Sequence, residues 1–295
     1  LVHNSDGINL QNLPSRGSTN LKACIEAPPG YAIIDCDSSN IEARVLAWLA
    51  GQEDLVNDFA NGVDVYCKLA TKIYGKTVTK ADKLERFVGK TVTLGCGYQT
   101  GANKLKVTLK AATPSVDLEL DECEKIIKTY RDSVPMIVNL WARGEDAVRA
   151  MYHNESMWLG REGAVLIEGK RGVKLPSGLY ISYPQLHRHT DGKWMKWRYK
   201  DDTGLVDIYG GKLIENVVQA LARIIVMSQM QRIARKLPVK LTVHDSVIAL
   251  AREEEREAAR AYVESCMRYV PSWAQGCPIN CESKWGYNYG ELHDD

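Results

Sequence analysis

The chain has 295 residues, 45% of them apolar, and a formal net charge of +1. It can bury a sizeable core in one large or two modest domains, and its near-neutral balance gives no global sign of a nucleic-acid partner, so any basic surface must be local. There is no signal peptide and no apolar run of about 18 residues, so no membrane span is expected. The cysteines are scattered without paired Cys-x2-Cys spacing, which points to reduced thiols rather than a zinc site.

Residues 1–30 are rich in Asn, Ser, Gly and Pro and read as loop with short strands. The run 31–36 fits a buried strand, and residues 41–50 have helical periodicity. Between them stands Asp37, either the N-cap of that helix or a carboxylate held at a strand end. Residues 51–160 read as mostly helical, with breaks at Gly62, Gly75, Gly95 to Gly101, Pro114 and Pro135. Seven Lys or Arg lie from Lys68 to Lys90 against Asp82 and Glu85, either a solvated face or a phosphate track. Residues 158–210 alternate apolar and polar with many Gly and read as strands and hairpins. The longest helical pattern is 213–236, with Leu213, Val217, Leu221, Ile224 and Ile225 on one stripe. A strand over 239–243, a tight turn at His244-Asp245-Ser246 and a return strand over 247–251 follow, then an acidic helix over 253–267.

The stretch 83–98, Lys-Leu-Glu-Arg-Phe-Val-Gly-Lys-Thr-Val-Thr-Leu-Gly-Cys-Gly-Tyr, carries the clearest chemistry. On a helix, Arg86 and Lys90 project from one face, with Leu94 a turn further on. Phe87, Val88, Thr91 and Val92 fall elsewhere, where they can pack the helix down. Two fixed cations and Tyr98 along one ridge suit a ligand with a polyphosphate at one end and a flat base at the other. An ordinary basic surface helix is the alternative. Gly89-Lys90-Thr91 ends like a phosphate-binding loop, but Leu84 stands where that loop needs glycine.

Arg-x3-Lys-x7-Tyr at 86, 90 and 98 resembles the nucleotide-binding helix of the fingers in family A DNA polymerases, the bacterial polymerase I and bacteriophage type. Further segments resemble that family, in its order. Asn9-Leu-Gln-Asn-Leu-Pro-Ser-Arg16 is similar to the segment beside the primer terminus, and Asp37-Ser-Ser-Asn-Ile-Glu42-Ala-Arg44 to the first catalytic motif. Asp64-Val-Tyr66 resembles an Asp-Ile-His element, Gln219 a glutamine at the template–primer minor groove, and Leu-Thr-Val-His-Asp245 the final catalytic motif. Residues 271–276 and 285–290 resemble the closing segment, so the likeness runs from residue 9 to about 290.

The resemblance implies an α+β fold: a right-hand palm of antiparallel sheet and helices over 1–50 and 165–295, with mainly helical fingers inserted at 51–164. It implies a phage-type replicative enzyme that adds dNTPs to a primer 3′-hydroxyl on a DNA template. Two Mg²⁺ ions, for which Mn²⁺ could substitute, would be held by Asp37 and Asp245. Lys90 would be catalytic, neutralising the triphosphate and protonating pyrophosphate as it leaves. Arg86 would hold the outer phosphate, Tyr98 would close on the base-pair side, and Tyr66 and Leu94 would complete the dNTP site. Glu42 would exclude a 2′-hydroxyl, while Arg44 orders that region. Gln11, Asn12, Arg16, Gln219 and His244 would hold primer–template, the amides using minor-groove acceptors that all base pairs share. Gly95, Cys96 and Gly97 would form a hinge before Tyr98.

The sequence also departs from the family. Leu94 replaces an aromatic residue, Tyr66 a histidine and Ser246 a glutamate, and residues 1–7 lack a Thr-Gly-Arg element. Asp35 is a rival to Asp37, but spacing to Ile41 and Glu42 favours Asp37. The eight residues before Asn9 hold neither a thumb nor an exonuclease domain, and the chain starts at Leu1. A truncated chain, a proteolytic product, or a split polymerase with a separate N-terminal thumb or exonuclease chain would each explain this. A processivity factor is a further candidate partner, and the expected compartment is the cytoplasm of a bacterium or phage-infected host. Two alternatives stand: a non-catalytic template–primer-binding subunit, against which both aspartates argue, and a single-subunit RNA polymerase, against which Glu42 argues.

Overall fold

The computed structural model describes residue 13, residues 20–192 and residues 194–294. Gln11, Asn12 and Arg16 lie outside the described residues. The elements in chain order are β1 (Tyr31–Ser38), α1 (Ile41–Ala50), α2 (Glu53–Ala60), α3 (Val65–Tyr74), α4 (Lys83–Cys96), α5 (Ala102–Ala111), α6 (Leu120–Ser133) and α7 (Pro135–His153). After them come β2 (Ser156–Leu159), β3 (Val165–Glu168), β4 (Val173–Lys174), β5 (Tyr180–Ile181), β6 (His187–Asp191), β7 (Trp194–Asp201) and β8 (Gly204–Ile208). The chain closes with α8 (Gly210–Ile233), β9 (Val239–Val243), β10 (Ser246–Arg252), α9 (Arg256–Met267), β11 (Cys281–Asn288) and β12 (Glu291–His293).

The chain forms two compact units, one of residues 1–41, 222–275 and 279–295, the other of 42–221 and 276–278. The first is built on a five-stranded sheet in the order β12-β11-β1-β10-β9. β1 is central, antiparallel to both β10 and β11. Side chains alternate across a strand, so Ile34 and Cys36 point to one face and Ile33, Asp35 and Asp37 to the other. The first face packs on Val263, Cys266 and Met267 of α9 and on Val226 and Ile233 of α8. On the second face Ile33, Val243, Ile248 and Tyr289 form a smaller apolar cluster, and the carboxylates lie further along β1.

The second unit holds helices α2 to α7, a four-stranded sheet β2-β3-β4-β5 and a three-stranded sheet β6-β7-β8. The helix breaks fall where left-handed backbone is needed: Gly75 ends α3 at φ 63° and Gly62 precedes it at φ 68°. Helices α3 and α4 meet at backbone level, because a Cβ on Gly89 would lie 2.3 Å from the Tyr66 carbonyl oxygen. Leu213, Val217 and Leu221 in the first half of α8 are fully buried, as the predicted stripe requires. By length and composition α8 could cross a membrane, which the sequence reading did not anticipate; half of its apolar window is buried, as in a core helix.

Candidate active site

The candidate acidic residues lie on the five-stranded sheet of the first unit. Asp37 is inside β1, so it is not the cap of α1. In register it faces Ser246 on β10 and Glu282 on β11. Asp245 occupies the tip of the β9–β10 hairpin, beside His244, whose φ of 53° is left-handed. The Ser38 amide donates to the Asp245 carbonyl at 3.3 Å, and Arg223 donates from Nη1 to the His244 carbonyl at 3.2 Å. The hairpin tip is therefore fixed by main-chain and arginine contacts.

The electrostatics agree with two converging carboxylates. Burial, then the charges of Asp245 and Asp35, push the Asp37 carboxyl up to about 7. Asp245 is also raised, chiefly by burial. Asp35, on the same face as Asp37, accepts a hydrogen bond from the Ser246 hydroxyl and is raised by burial. Sequence reasoning treated Asp35 only as a rival to Asp37 and gave Ser246 no partner. The alternation that puts residues 35 and 37 on one face was the available signal.

A separate set of candidate residues lies in the second unit. Arg86, Lys90 and Leu94 line one side of α4 as the spacing requires, with Lys90 and Leu94 exposed and Val88, Gly89, Val92, Thr93 and Cys96 buried. Tyr98 is not on that helix. The helix ends at Cys96, and Gly97 is wedged between the Leu46 side chain and Trp141, whose indole donates to the Gly97 carbonyl at 2.7 Å. Tyr98 donates from its hydroxyl to Glu42 Oε2 at 3.5 Å, and burial holds its phenol above the ordinary range. Glu42, Leu94, Tyr98, Lys104, Glu215 and Gln219 line one cavity of about 320 Å³. Two expected positions more than a hundred residues apart in sequence, Glu42 and Gln219, thus share a wall.

Tyr66 stands differently from the expected phosphate contact. It is buried at 6% exposure, with the Arg86 guanidinium 5.4 Å above its ring. Arg86 Nε donates to Asp64 Oδ2 at 2.8 Å, while Asp64 Oδ1 accepts from the Cys67 amide at 3.0 Å as the N-cap of α3. Asp64 was quoted in the sequence only as part of a motif. Arg44 is buried, donating to the carbonyls of Phe59 at 3.2 Å and Pro278 at 2.6 Å.

The sequence profile of DNA polymerase family A matches residues 4–166, more than half of the chain. The chain belongs to that family. It is 30% identical over 259 residues to a DNA polymerase of Bacillus phage SP02, covering 83% of this chain and 39% of the phage protein. A thermostable DNA polymerase I of Thermus thermophilus is 32% identical over 131 residues, 44% of this chain and 15% of that protein. Among solved structures, the POL domain of Pol1 from M. smegmatis, in complex with DNA primer-template and dNTP, shares the fold with a TM-score of 0.66 at 16% identity. That match covers 96% of this chain and 45% of the other. The fold is accordingly α+β, a polymerase palm with helical fingers, and the chain spans less than half the length of each of these proteins.

Proposed function

We propose that this chain carries out template-directed DNA synthesis of the phage replicative type, joining dNTPs to a primer 3′-hydroxyl. The observation that carries the reading is the approach of Asp37 and Asp245 on a rigid sheet. Mg²⁺ is bound through one or two carboxylates, waters and substrate phosphates rather than an all-protein cage. Two neighbouring carboxylates whose charges repel fit such a cation, and no cluster of three or more metal-binding side chains occurs among the described residues. Two Mg²⁺ ions, or Mn²⁺ in their place, would be held by Asp37 and Asp245, and supply a more acidic primer hydroxyl and stabilised charge on the attacking and leaving oxygens.

The chain's own residues do the rest. Lys90 neutralises the triphosphate and gives a proton to departing pyrophosphate, and Arg86 holds the outer phosphate by its fork of donors. Glu42 closes the space a 2′-hydroxyl would need, and Tyr98, bonded to Glu42, flanks the base pair. Gln219 donates to the duplex minor groove and His244 steadies the primer end. We assign the palm to 1–50 and 165–295 and the fingers to 51–164. Primer–template DNA and dNTPs are the partners, with a separate N-terminal thumb or exonuclease chain as a candidate third, in the host cytoplasm.

Primer extension by the purified chain tests this. Extension with Mg²⁺ and dNTPs, lost in EDTA and poor with rNTPs, is the expected result. Extension that appears only on adding an N-terminal fragment identifies a split enzyme. Silence in both cases contradicts the proposal.

A further inference from the structure

Arg86 is not simply a cation on a surface helix. Its position is set by three contacts that all trace to the start of α3. Asp64 Oδ2 accepts from Nε at 2.8 Å, the Tyr66 ring lies beneath the guanidinium at 5.4 Å, and Gly89 one turn along α4 lets the two helix backbones touch. A guanidinium has five N–H donors in a fixed plane. The bond to Asp64 uses Nε alone, so it orients the plane without consuming either terminal amino group. Asp64 is itself locked, because its other oxygen caps α3 by accepting from the Cys67 amide.

We infer that Asp64 is a positioning residue for nucleotide binding: it clamps Arg86 through Nε against the Tyr66 ring, so that the terminal amino groups meet the triphosphate as a preset fork. This rests on the reading of Arg86 as a triphosphate ligand. In the inferred arrangement Tyr66 is the platform under the arginine and does not touch phosphate, consistent with its burial. The clamp persists in the nucleotide complex, since a bidentate phosphate contact and the Nε bond use different donors. Electrostatics are consistent: the Asp64 carboxyl is held below its ordinary value, burial opposing while the Cys67 amide and Arg86 lower it. The value of the clamp is preorganisation. An unclamped arginine samples many rotamers and must be ordered by each incoming nucleotide.

The test separates capping from clamping. Serine at position 64 can still accept from the Cys67 amide but is too short to reach Arg86, so Asp64→Ser keeps the cap and removes the clamp. Binding of Mg²⁺–dATP to the DNA-free protein is measured by calorimetry for the parent, Asp64→Ser, Arg86→Ala and the double variant, with melting temperatures alongside. Arg86→Ala should weaken dATP binding about tenfold or more, and Asp64→Ser by a smaller factor of about five. The double variant should bind no more weakly than Arg86→Ala, because Asp64 acts only through Arg86. Melting of Asp64→Ser should stay near that of the parent. If the parent does not bind dATP, or Arg86→Ala binds as the parent does, the reading of Arg86 fails and the inference with it. If Arg86→Ala weakens binding but Asp64→Ser does not, or if the two losses multiply, Asp64 is not the positioning residue and the inference alone is overturned.

Discussion

Ser38 and Asp245 are joined backbone to backbone, the amide of one donating to the carbonyl of the other at 3.3 Å. Ser38 follows Asp37 in the chain, so this bond ties the end of β1 to the hairpin tip and sets both carboxylates by main-chain geometry. Their placement depends little on their own side chains. Replacing either with Asn should therefore remove chemistry while the sheet stays folded, with melting within a few degrees of the parent.

The pair makes metal-free stability depend on pH. An unfolded Asp titrates at about 4, whereas burial and neighbouring carboxylates push folded Asp37 up to about 7. The folded state thus binds this proton more tightly. The resulting stabilisation is fully present below about pH 4 and is lost as pH rises through about 7. In urea unfolding with EDTA present, the parent should lose stability from about pH 4 to about pH 7, and Asp37→Asn should flatten that loss. Because Asp37 still keeps part of its surface in solvent, screening limits the difference to about 1 kcal/mol. Parallel profiles for the two proteins would show that the carboxylates do not interact in this way.

Gly89 is where α3 and α4 touch. A methyl group there would press on the Tyr66 carbonyl oxygen and the Ala70 side chain. Gly89→Ala would gain helix propensity of up to about 1 kcal/mol, but forced separation of two packed backbones costs about 1–3 kcal/mol. Net destabilisation, with weaker dNTP binding as Arg86 moves off its platform, is expected by thermal melting and dNTP titration. An unchanged melting temperature would show that the helices can part freely.

Glu42 carries sugar selection in this account. Shortening it in Glu42→Ala opens the cavity it lines with Tyr98 and Gln219. The ratio of dNTP to rNTP incorporation should fall by about 10-fold or more, since the loss of a blocking group shifts discrimination by at least 1–2 kcal/mol. Tyr98→Phe removes only a long, partly exposed hydrogen bond and should change the ratio far less. Equal effects of the two substitutions would move selection from Glu42 to the hydroxyl of Tyr98.

His244 holds a left-handed backbone at φ 53° in a two-residue turn. Such a conformation costs an ordinary residue about 1 kcal/mol, and glycine almost nothing. His244→Gly should consequently be more stable than His244→Ala by about that amount, while both lose any grip on the primer end. Equal stability would mean that the turn relaxes when the side chain is shortened.

Much of this architecture is legible in the residues because local signals agree with the tertiary fold. The periodicity over 41–50 matches α1 in full, and the strand–turn–strand reading around Asp245 matches β9 and β10. The helical breaks at Gly62 and Gly75 are backbone positions that need positive φ. What the sequence hid was non-local. The glycines before Tyr98 signal the end of α4, but not that Trp141, 44 residues beyond Gly97, holds the Gly97 carbonyl. The pairing of Asp64 with Arg86 joins two helices, and no periodicity within either one reveals it. Likewise, Ser246 reads as a lost carboxylate, yet in register opposite Asp37 it donates its hydroxyl diagonally to Asp35 on the same face.

The central claim is that Asp37 and Asp245 together form the centre of nucleotidyl transfer. Single-turnover incorporation of one dNTP, measured for the parent, Asp37→Asn and Asp245→Asn, with primer–template affinity determined on the same samples, tests it most directly. The account predicts that each substitution slows incorporation by about 1,000-fold or more, roughly 4 kcal/mol in the barrier, while the Kd for primer–template changes by no more than a few fold. A variant that incorporates within tenfold of the parent, or one that loses rate only because it loses DNA, would contradict it.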